Sequence, residues 1–234
     1  MRRCSLCNGT VRGCGFTLIE LLVVIGVISL LIAILLPGLA KARTRVRRTV
    51  CSTHLREIAV GLQVYTDTNQ DWYPTAESPE GTSGPENWWE NGALLSTIGL
   101  EPNPDERSVL TCPADPEPDR CLDGSLKVCR ASYGANTSAF GMRRGRSKQG
   151  RRRHQVKAPA EALAFADAAG KAQAPLAVGW QGCVSDNFSF RHDKLCSVLY
   201  LDTHVGWISS DDLQPVERAW EDPFWGNDPC FDRP

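Results

Sequence analysis

Glu20 is the one charged side chain among the twenty-one residues from Phe16 to Leu36. An ionisable group inside a long apolar run costs free energy and is kept there for a partner. Glu20 follows Phe16 by four residues, so the two share a helical face. Gly15 stands just before Phe16, behind a short basic leader with Arg2, Arg3 and Arg12. A peptidase cut between Gly15 and Phe16 would expose an α-amino cation on Phe16 that a carboxylate could neutralise. The chemistry on offer is processing and ion pairing.

A second set of reactive side chains lies near the C-terminus, where Phe190-Arg191-His192 is followed after nine residues by Asp202-Thr203-His204-Val205. On one continuous strand Asp202 and His204 would share a face, and with His192 could supply metal ligands or a general-base pair. A turn at Asp202-Thr203 spoils that alternation, and histidine and aspartate at turns commonly satisfy backbone groups. The structural role is therefore the plainer reading. No adjacent serine or cysteine makes a persuasive nucleophile, although Cys196 lies four residues from His192.

The chain has ten cysteines. Cys4, Cys7 and Cys14 fall in the leader; Cys51, Cys112, Cys121, Cys129, Cys183, Cys196 and Cys230 follow it. An odd set outside the cytoplasm predicts up to three disulfides and one free or intermolecular thiol. Cys51, on the helix stem, is the odd one. Zinc competes through the Cys4-Ser-Leu-Cys7 spacing, but no second such pair or well-spaced histidine pair follows.

These residues need a scaffold. At about 1.5 Å of rise per residue, a helix from Phe16 to Leu36 is long enough for a hydrocarbon core of about 30 Å. Pro37-Gly38 predicts a kink or local melting. Cys51, Leu55, Ile58, Leu62 and Tyr65 then recur at three to four residues, which predicts an amphipathic continuation ending near residues 67 to 69. Asp67-Thr68-Asn69-Gln70-Asp71 imitates the start of a calcium loop, but Trp72 and Ser78 occupy the places that need glycine and glutamate. A helix end followed by a turn explains them equally well.

Further on, the stretch from Trp72 to Pro118 reads as a long connection anchored by Trp72, Trp88 and Trp89, with a short helix at Gly92 to Ile98 and a short strand at Val109 to Cys112. Strand candidates are Ser132 to Asn136, Gln155 to Ala158, Ala162 to Ala166, Leu176 to Val178, Leu195 to Leu201 and His204 to Ile208, the last two forming a hairpin around Asp202-Thr203. Arg143 to His154 carries seven cations and no acid. It reads as a solvated loop; with no aromatics to stack on bases, nucleic acid is not expected. Trp220, Phe224, Trp225 and Phe231 predict a tail laid on the body, with Cys230 pinning it. Formal net charge is −1, and −4 without residues 1 to 15, which excludes a globally basic nucleic-acid binder.

Gly15-Phe16-Thr17-Leu18-Ile19-Glu20 followed by LLVVIGVISLLIAILLP resembles the class III signal of type IV prepilins and pseudopilins. The resemblance implies cleavage after Gly15 by a cytoplasm-facing prepilin peptidase, methylation of Phe16, and filament packing in which Glu20 neutralises a neighbouring subunit's N-terminus. The C-terminal spacing is similar to the motif of a pseudopilin-like family abundant in planctomycetes, in which a histidine is followed after nine residues by Asp-Gly-His-Val; here Thr203 replaces the glycine. The stem CSTHLREIAVGLQVYTDTNQDWYP, Cys112-Pro113-Ala114-Asp115 and Ser132-Tyr133-Gly134 fit the same family. The competing readings of the N-terminus are an uncleaved signal anchor and a secretory signal ending at Ala40-Lys41-Ala42. The apolar segment of the latter would far exceed the usual run of about 7–15 residues.

The resemblance implies an α+β, type IV pilin-like fold, with a long helix packed on an antiparallel sheet. Its parts would be a leader (1–15), a transmembrane and assembly half-helix (16–36), an amphipathic half-helix (37–68) and a periplasmic α+β head (69–234). Lys41, Arg43, Arg45, Arg47 and Arg48 after the span oppose a plain positive-inside count; the motif nevertheless puts the leader in the cytoplasm and the head in the periplasm, as a single-pass inner-membrane protein. Expected partners are prepilin peptidase, other pseudopilin subunits of a type II secretion-like pseudopilus or type IV filament, and the inner membrane. No cofactor, metal or catalysis is expected. The alternatives are a non-polymerising anchored envelope-binding protein and a membrane-tethered metalloenzyme using His192, Asp202 and His204.

Overall fold

The computed structural model describes residues 17–75, 88, 91–100, 109–116, 131–140, 143–144, 147–148, 151–156, 158–168, 177–178 and 188–212. Contacts divide the chain into two compact units, Met1–Arg43 and Thr44–Pro234. Gly15 and Phe16, the leader cysteines, Trp89, Cys121, Cys129, Cys183 and the tail with Trp220, Phe224, Trp225, Cys230 and Phe231 lie outside the described residues.

Helix α1 spans Leu18–Thr68, with Pro37 inside it. The local melting predicted at Pro37-Gly38 is not seen: helix continues on both sides of the proline. In the first unit the apolar side chains from Leu18 to Leu36 are all exposed, and this helix is long and apolar enough to cross a membrane. In the second unit the stem buries Cys51, Leu55, Ile58, Ala59 and Leu62. These form one core with Leu94, Leu95, Phe140, Phe165 and Leu199, and Tyr65 packs at its edge. The three-to-four-residue spacing read from the sequence is the buried stripe itself.

Helix α2 (Gly92–Thr97) is capped by the Asn91 side chain, which accepts from the Leu94 amide. It lies against the stem at Gly61. A Cβ there would come within 2.1 Å of Ile98 Cγ2, so only hydrogen fits, and the Thr97 hydroxyl donates to the Gly61 carbonyl at 2.9 Å.

The sheet contains β1 (Tyr133–Asn136), β4 (Leu163–Asp167), β6 (Leu195–Tyr200) and β7 (Val205–Ser209), all antiparallel, with β5 (Ala177–Val178) adding a parallel edge to β1. The order is β5-β1-β4-β6-β7. The fold is α+β, with a long N-terminal helix followed by an antiparallel sheet, as expected. Alternation along β6 aims Cys196 and Val198 at one apolar cluster and Leu199 at the other, where the stem packs. A short helix α3 (Thr137–Phe140) follows β1. Trp88 is buried edge-on against Phe165 at 4.7 Å, which is the anchoring expected of it.

Three local readings are corrected. Residues 109–112 form a turn, not a strand: Leu110, Thr111 and Cys112 are buried in succession rather than alternately, and Pro113 follows. Gln155, Val156 and Ala158 are not in a strand either; a 3-10 turn occupies Arg153–Gln155. The basic segment is not simply solvated. It contains a two-stranded ribbon of β2 (Arg143–Arg144) and β3 (Ser147–Lys148). Arg152 lies over the Trp72 ring at 4.8 Å, and Arg153 bridges Asp67 and Asp71 at 2.8 and 2.7 Å. Those two acids, the supposed calcium ligands, are thus paired with a guanidinium.

Candidate functional site

At the N-terminal end of α1, Glu20 sits in the first turn. Its carboxylate accepts from the Thr17 amide at 2.9 Å and from the Thr17 hydroxyl at 2.8 Å, and the Glu20 amide donates back to the Thr17 hydroxyl at 3.2 Å. This is a capping box, whose signature is threonine followed three residues later by glutamate. The sequence carries that signature, and the assembly reading of Glu20 had obscured it.

The predicted trio of His192, Asp202 and His204 is not assembled. Asp202 and His204 belong to the hairpin connection between β6 and β7, where they bond each other at 2.6 Å and His204 stacks on Tyr200 at 4.1 Å. His192, by contrast, is completely buried. The hairpin was expected; its turn is wider than two residues, with Leu199 opposite Val205 and Thr203 at φ +79°. That left-handed value is where the resembling family's glycine would sit without strain.

His192 is held by a turn that the sequence reading missed. His192 and Leu195 exchange backbone hydrogen bonds, and the two residues between them, Asp193 and Lys194, have φ of 54° and 64°. Positive φ at both central positions marks a type I′ hairpin turn. It delivers His192 to the underside of the stem, where the ring meets Trp207 edge-on and three further polar side chains converge.

Those side chains are Cys51 of α1, Cys112 of the 109–116 loop and Asp167 at the end of β4. With His192 they are all buried and bring one ligand-type atom each to within 4.8 Å of one another. His192 Nε2 lies 3.3 Å from Asp167 Oδ2 and 3.2 Å from Cys112 Sγ; Cys51 Sγ lies 3.7 Å from Asp167 Oδ2. Around them, the Tyr133 hydroxyl donates to Cys51 Sγ at 3.3 Å, the Ala114 amide to Cys112 Sγ at 3.4 Å, and the Ser197 hydroxyl to Asp167 Oδ2 at 2.6 Å. Next to His192, Arg191 is ion-paired to Asp115 at 2.6 Å and donates to the Ala168 carbonyl, which ties the Cys112 loop to the sheet.

The electrostatics of this pocket are those of a closed site. The hydrogen bond with Cys51, together with burial, pushes the Cys112 thiol far above the usual thiol range. Burial does the same to Cys196. Burial works against a charged His192, but its bonds to Asp167 and Cys112 outweigh that and push it up to about 9. Raised thiols without access to solvent are not nucleophiles. Cys51 is free and buried, as expected of the odd thiol, and the disulfide expectation is corrected for the other two described cysteines: Cys112 and Cys196 are also free and buried. Cys196 faces the opposite apolar cluster from Cys51 and Cys112. Sequence spacing gave no notice of the cluster, because its four members run from position 51 to position 192 and are adjacent only in space. The available hint was an aspartate closing the wholly buried strand Leu-Ala-Phe-Ala-Asp, since a carboxylate is seldom fully buried without partners.

Residues 12–36 match the prokaryotic N-terminal methylation motif. The chain is 36% identical over 90 residues to the type IV wide pilus major component PilA4 of Thermus thermophilus, covering 38% of this chain and 56% of that protein. It is 30% identical over 87 residues to type II secretion system core protein G of Pseudomonas aeruginosa, covering 34% of this chain and 61% of that protein. The chain thus spans little more than half the length of these relatives. No solved structure matches it.

Proposed function

We propose that the chain is a pilin-like structural subunit. It would be anchored by the helix from Phe16 to Leu36, cut after Gly15 by a prepilin peptidase and methylated on Phe16. It then packs with other subunits, helix against helix, into a type II secretion-like pseudopilus or a type IV filament. Glu20 registers each subunit by neutralising the amino terminus of a neighbour. The leader would lie in the cytoplasm and the head in the periplasm, and the His192 to Asp202 spacing supports kinship of the head with the planctomycete-type family.

The observation that carries this reading is the exposed apolar surface of α1 from Leu18 to Leu36, in which Glu20 is the one charged side chain. A helix that is apolar on all sides needs lipid or other helices around it. The methylation motif over residues 12–36 and the two relatives support the second use after the first.

The test is expression of the full chain with and without an active prepilin peptidase, followed by shearing and recovery of filaments. Processing that depends on the peptidase, with filaments lost in Glu20→Ala, is the expected result. Processed Glu20→Ala protein that still assembles with its normal partners contradicts the filament reading and favours an anchored binding protein that does not polymerise.

A further inference from the structure

We infer that Cys51, Cys112, Asp167 and His192 form a structural zinc site that clamps the helix stem to the sheet within the head. The inference stands apart from the assembly reading, since it concerns residues 44–234 alone.

Four ligand-type atoms lie within 4.8 Å of one another, and three of their six separations match the edges of a coordination shell. Zinc lies about 2.3 Å from sulfur and about 2.0–2.2 Å from nitrogen or oxygen, so tetrahedral ligands stand about 3.3–3.8 Å from one another. The separations of 3.7 Å for Cys51 to Asp167, 3.3 Å for His192 to Asp167 and 3.2 Å for Cys112 to His192 fall on these edges or within a few tenths of an ångström of them. One of these spacings suits a metal-free network poorly, although the Ser197 hydroxyl lies 3.0 Å from Cys51 Sγ and 2.6 Å from Asp167 Oδ2. A charge-assisted N–H···O bond settles at about 2.7–2.9 Å, well inside the His192 to Asp167 distance, and a thiol is a weak donor that satisfies little.

The surrounding donors point the same way. Tyr133, Ala114 and Ser197 aim an O–H, an N–H and an O–H at Cys51 Sγ, Cys112 Sγ and Asp167 Oδ2, the three atoms that are anionic once a metal is bound. Such outer partners orient ligands and stabilise their charge. Zinc binding releases both thiol protons and the imidazolium proton to solvent. That leaves two thiolates, one carboxylate and a neutral imidazole around a dication, with one net negative charge. Arg191, 11% exposed, is the neighbouring cation, and Asp167 helps to hold its charge in place.

The ligand types select the ion. Two thiolates with imidazole and carboxylate in a tetrahedron suit zinc, whereas calcium and magnesium take oxygen ligands. Four protein ligands, all buried, leave no open position, so the site is structural. It joins four segments far apart in sequence, which is the role that disulfides were expected to play.

The experiment uses the full chain, purified in detergent without chelator or metal-affinity steps. Elemental analysis of the wild type is expected to find about one zinc per chain. Cys112→Ser and Asp167→Asn are expected to lower that content about tenfold or more, while Cys196→Ser, outside the cluster, keeps it. If the variants fold poorly, cobalt(II) added to stripped wild-type protein decides: tetrahedral visible bands with thiolate charge-transfer absorption support the site. Wild-type protein without zinc overturns the inference. So does zinc content unchanged in Cys112→Ser, a different ion in stoichiometric amount, or an intact mass two hydrogens light with Cys51 joined to Cys112.

Discussion

The hydroxyl of Thr17 and the carboxylate of Glu20 close on each other at 2.8 Å in the first turn of α1. Within one chain, then, Glu20 has a local partner before any neighbouring subunit arrives. Capping and subunit registration call on the same side chain, but they depend on different properties of it. A capping box works with glutamine as well as glutamate, whereas neutralising an amine needs the charge.

Glu20→Gln therefore separates the two roles. Helix entry is expected to survive, read as amide-exchange protection of the first turn, while filament recovery falls as far as in Glu20→Ala. If Glu20→Gln assembles like the wild type, capping alone accounts for Glu20 and the registration role fails.

Thr203 holds φ +79° in the turn between β6 and β7. A left-handed conformation costs a non-glycine residue about 1–2 kcal/mol, and glycine returns part of that gain through its looser unfolded chain. Thr203→Gly is expected to stabilise the protein by about 0.5–1 kcal/mol net, seen as a higher denaturation midpoint. A lower midpoint would mean that the threonine side chain contributes more than the strain removes.

Gly61 marks the closest approach of α2 to the stem. With Ile98 Cγ2 only 2.1 Å from where a Cβ would sit, Gly61→Ala is expected to cost about 1–3 kcal/mol through overpacking. Adding Ile98→Ala should recover part of that loss, because the two substitutions share one contact. Strict additivity in denaturant unfolding would show that the crowding lies elsewhere.

Much of the fold was legible because it follows from apolar periodicity. The stripe of Cys51, Leu55, Ile58 and Leu62, the helix at 92–97 and the β6–β7 hairpin all repeat at the period of their element. The short pieces were not legible. At 109–112 an apolar run of strand-like composition is a turn, because local composition does not register that Leu110 and Cys112 are taken into the same core without forming a strand. The charged segment Arg143 to His154 read as solvent-facing, since a sequence does not reveal that Asp67 and Trp72 lie opposite Arg153 and Arg152. For the candidate sites the difference is sharper. Glu20 stood out as one charge in an apolar run, whereas the cluster under the stem joins four segments that only the folded sheet brings together; Asp202 and His204 bond each other in the hairpin connection, in line with the plainer structural reading, and His192 alone joins the cluster.

Tyr73 gives the head an alkaline limit. It is 5% exposed, and burial pushes its phenol up to about 12, against the pull of Arg153. The unfolded chain, with an ordinary phenol near 10, loses this proton first. The contribution of Tyr73 is thus constant below about pH 10 and is lost as pH rises to about 12, by about 2–3 kcal/mol from this residue. Denaturant unfolding on either side of that window should show a smaller drop in Tyr73→Phe. An equal drop assigns the loss to other groups.

Residues 12–36 are proposed to act first as a processing signal and anchor, then as an assembly helix. Intact mass and N-terminal sequencing of the protein purified from membranes test this most directly. The expected result is a chain beginning at Phe16 with a methylated amine. A chain that retains Met1, or one that begins after Ala42, contradicts it.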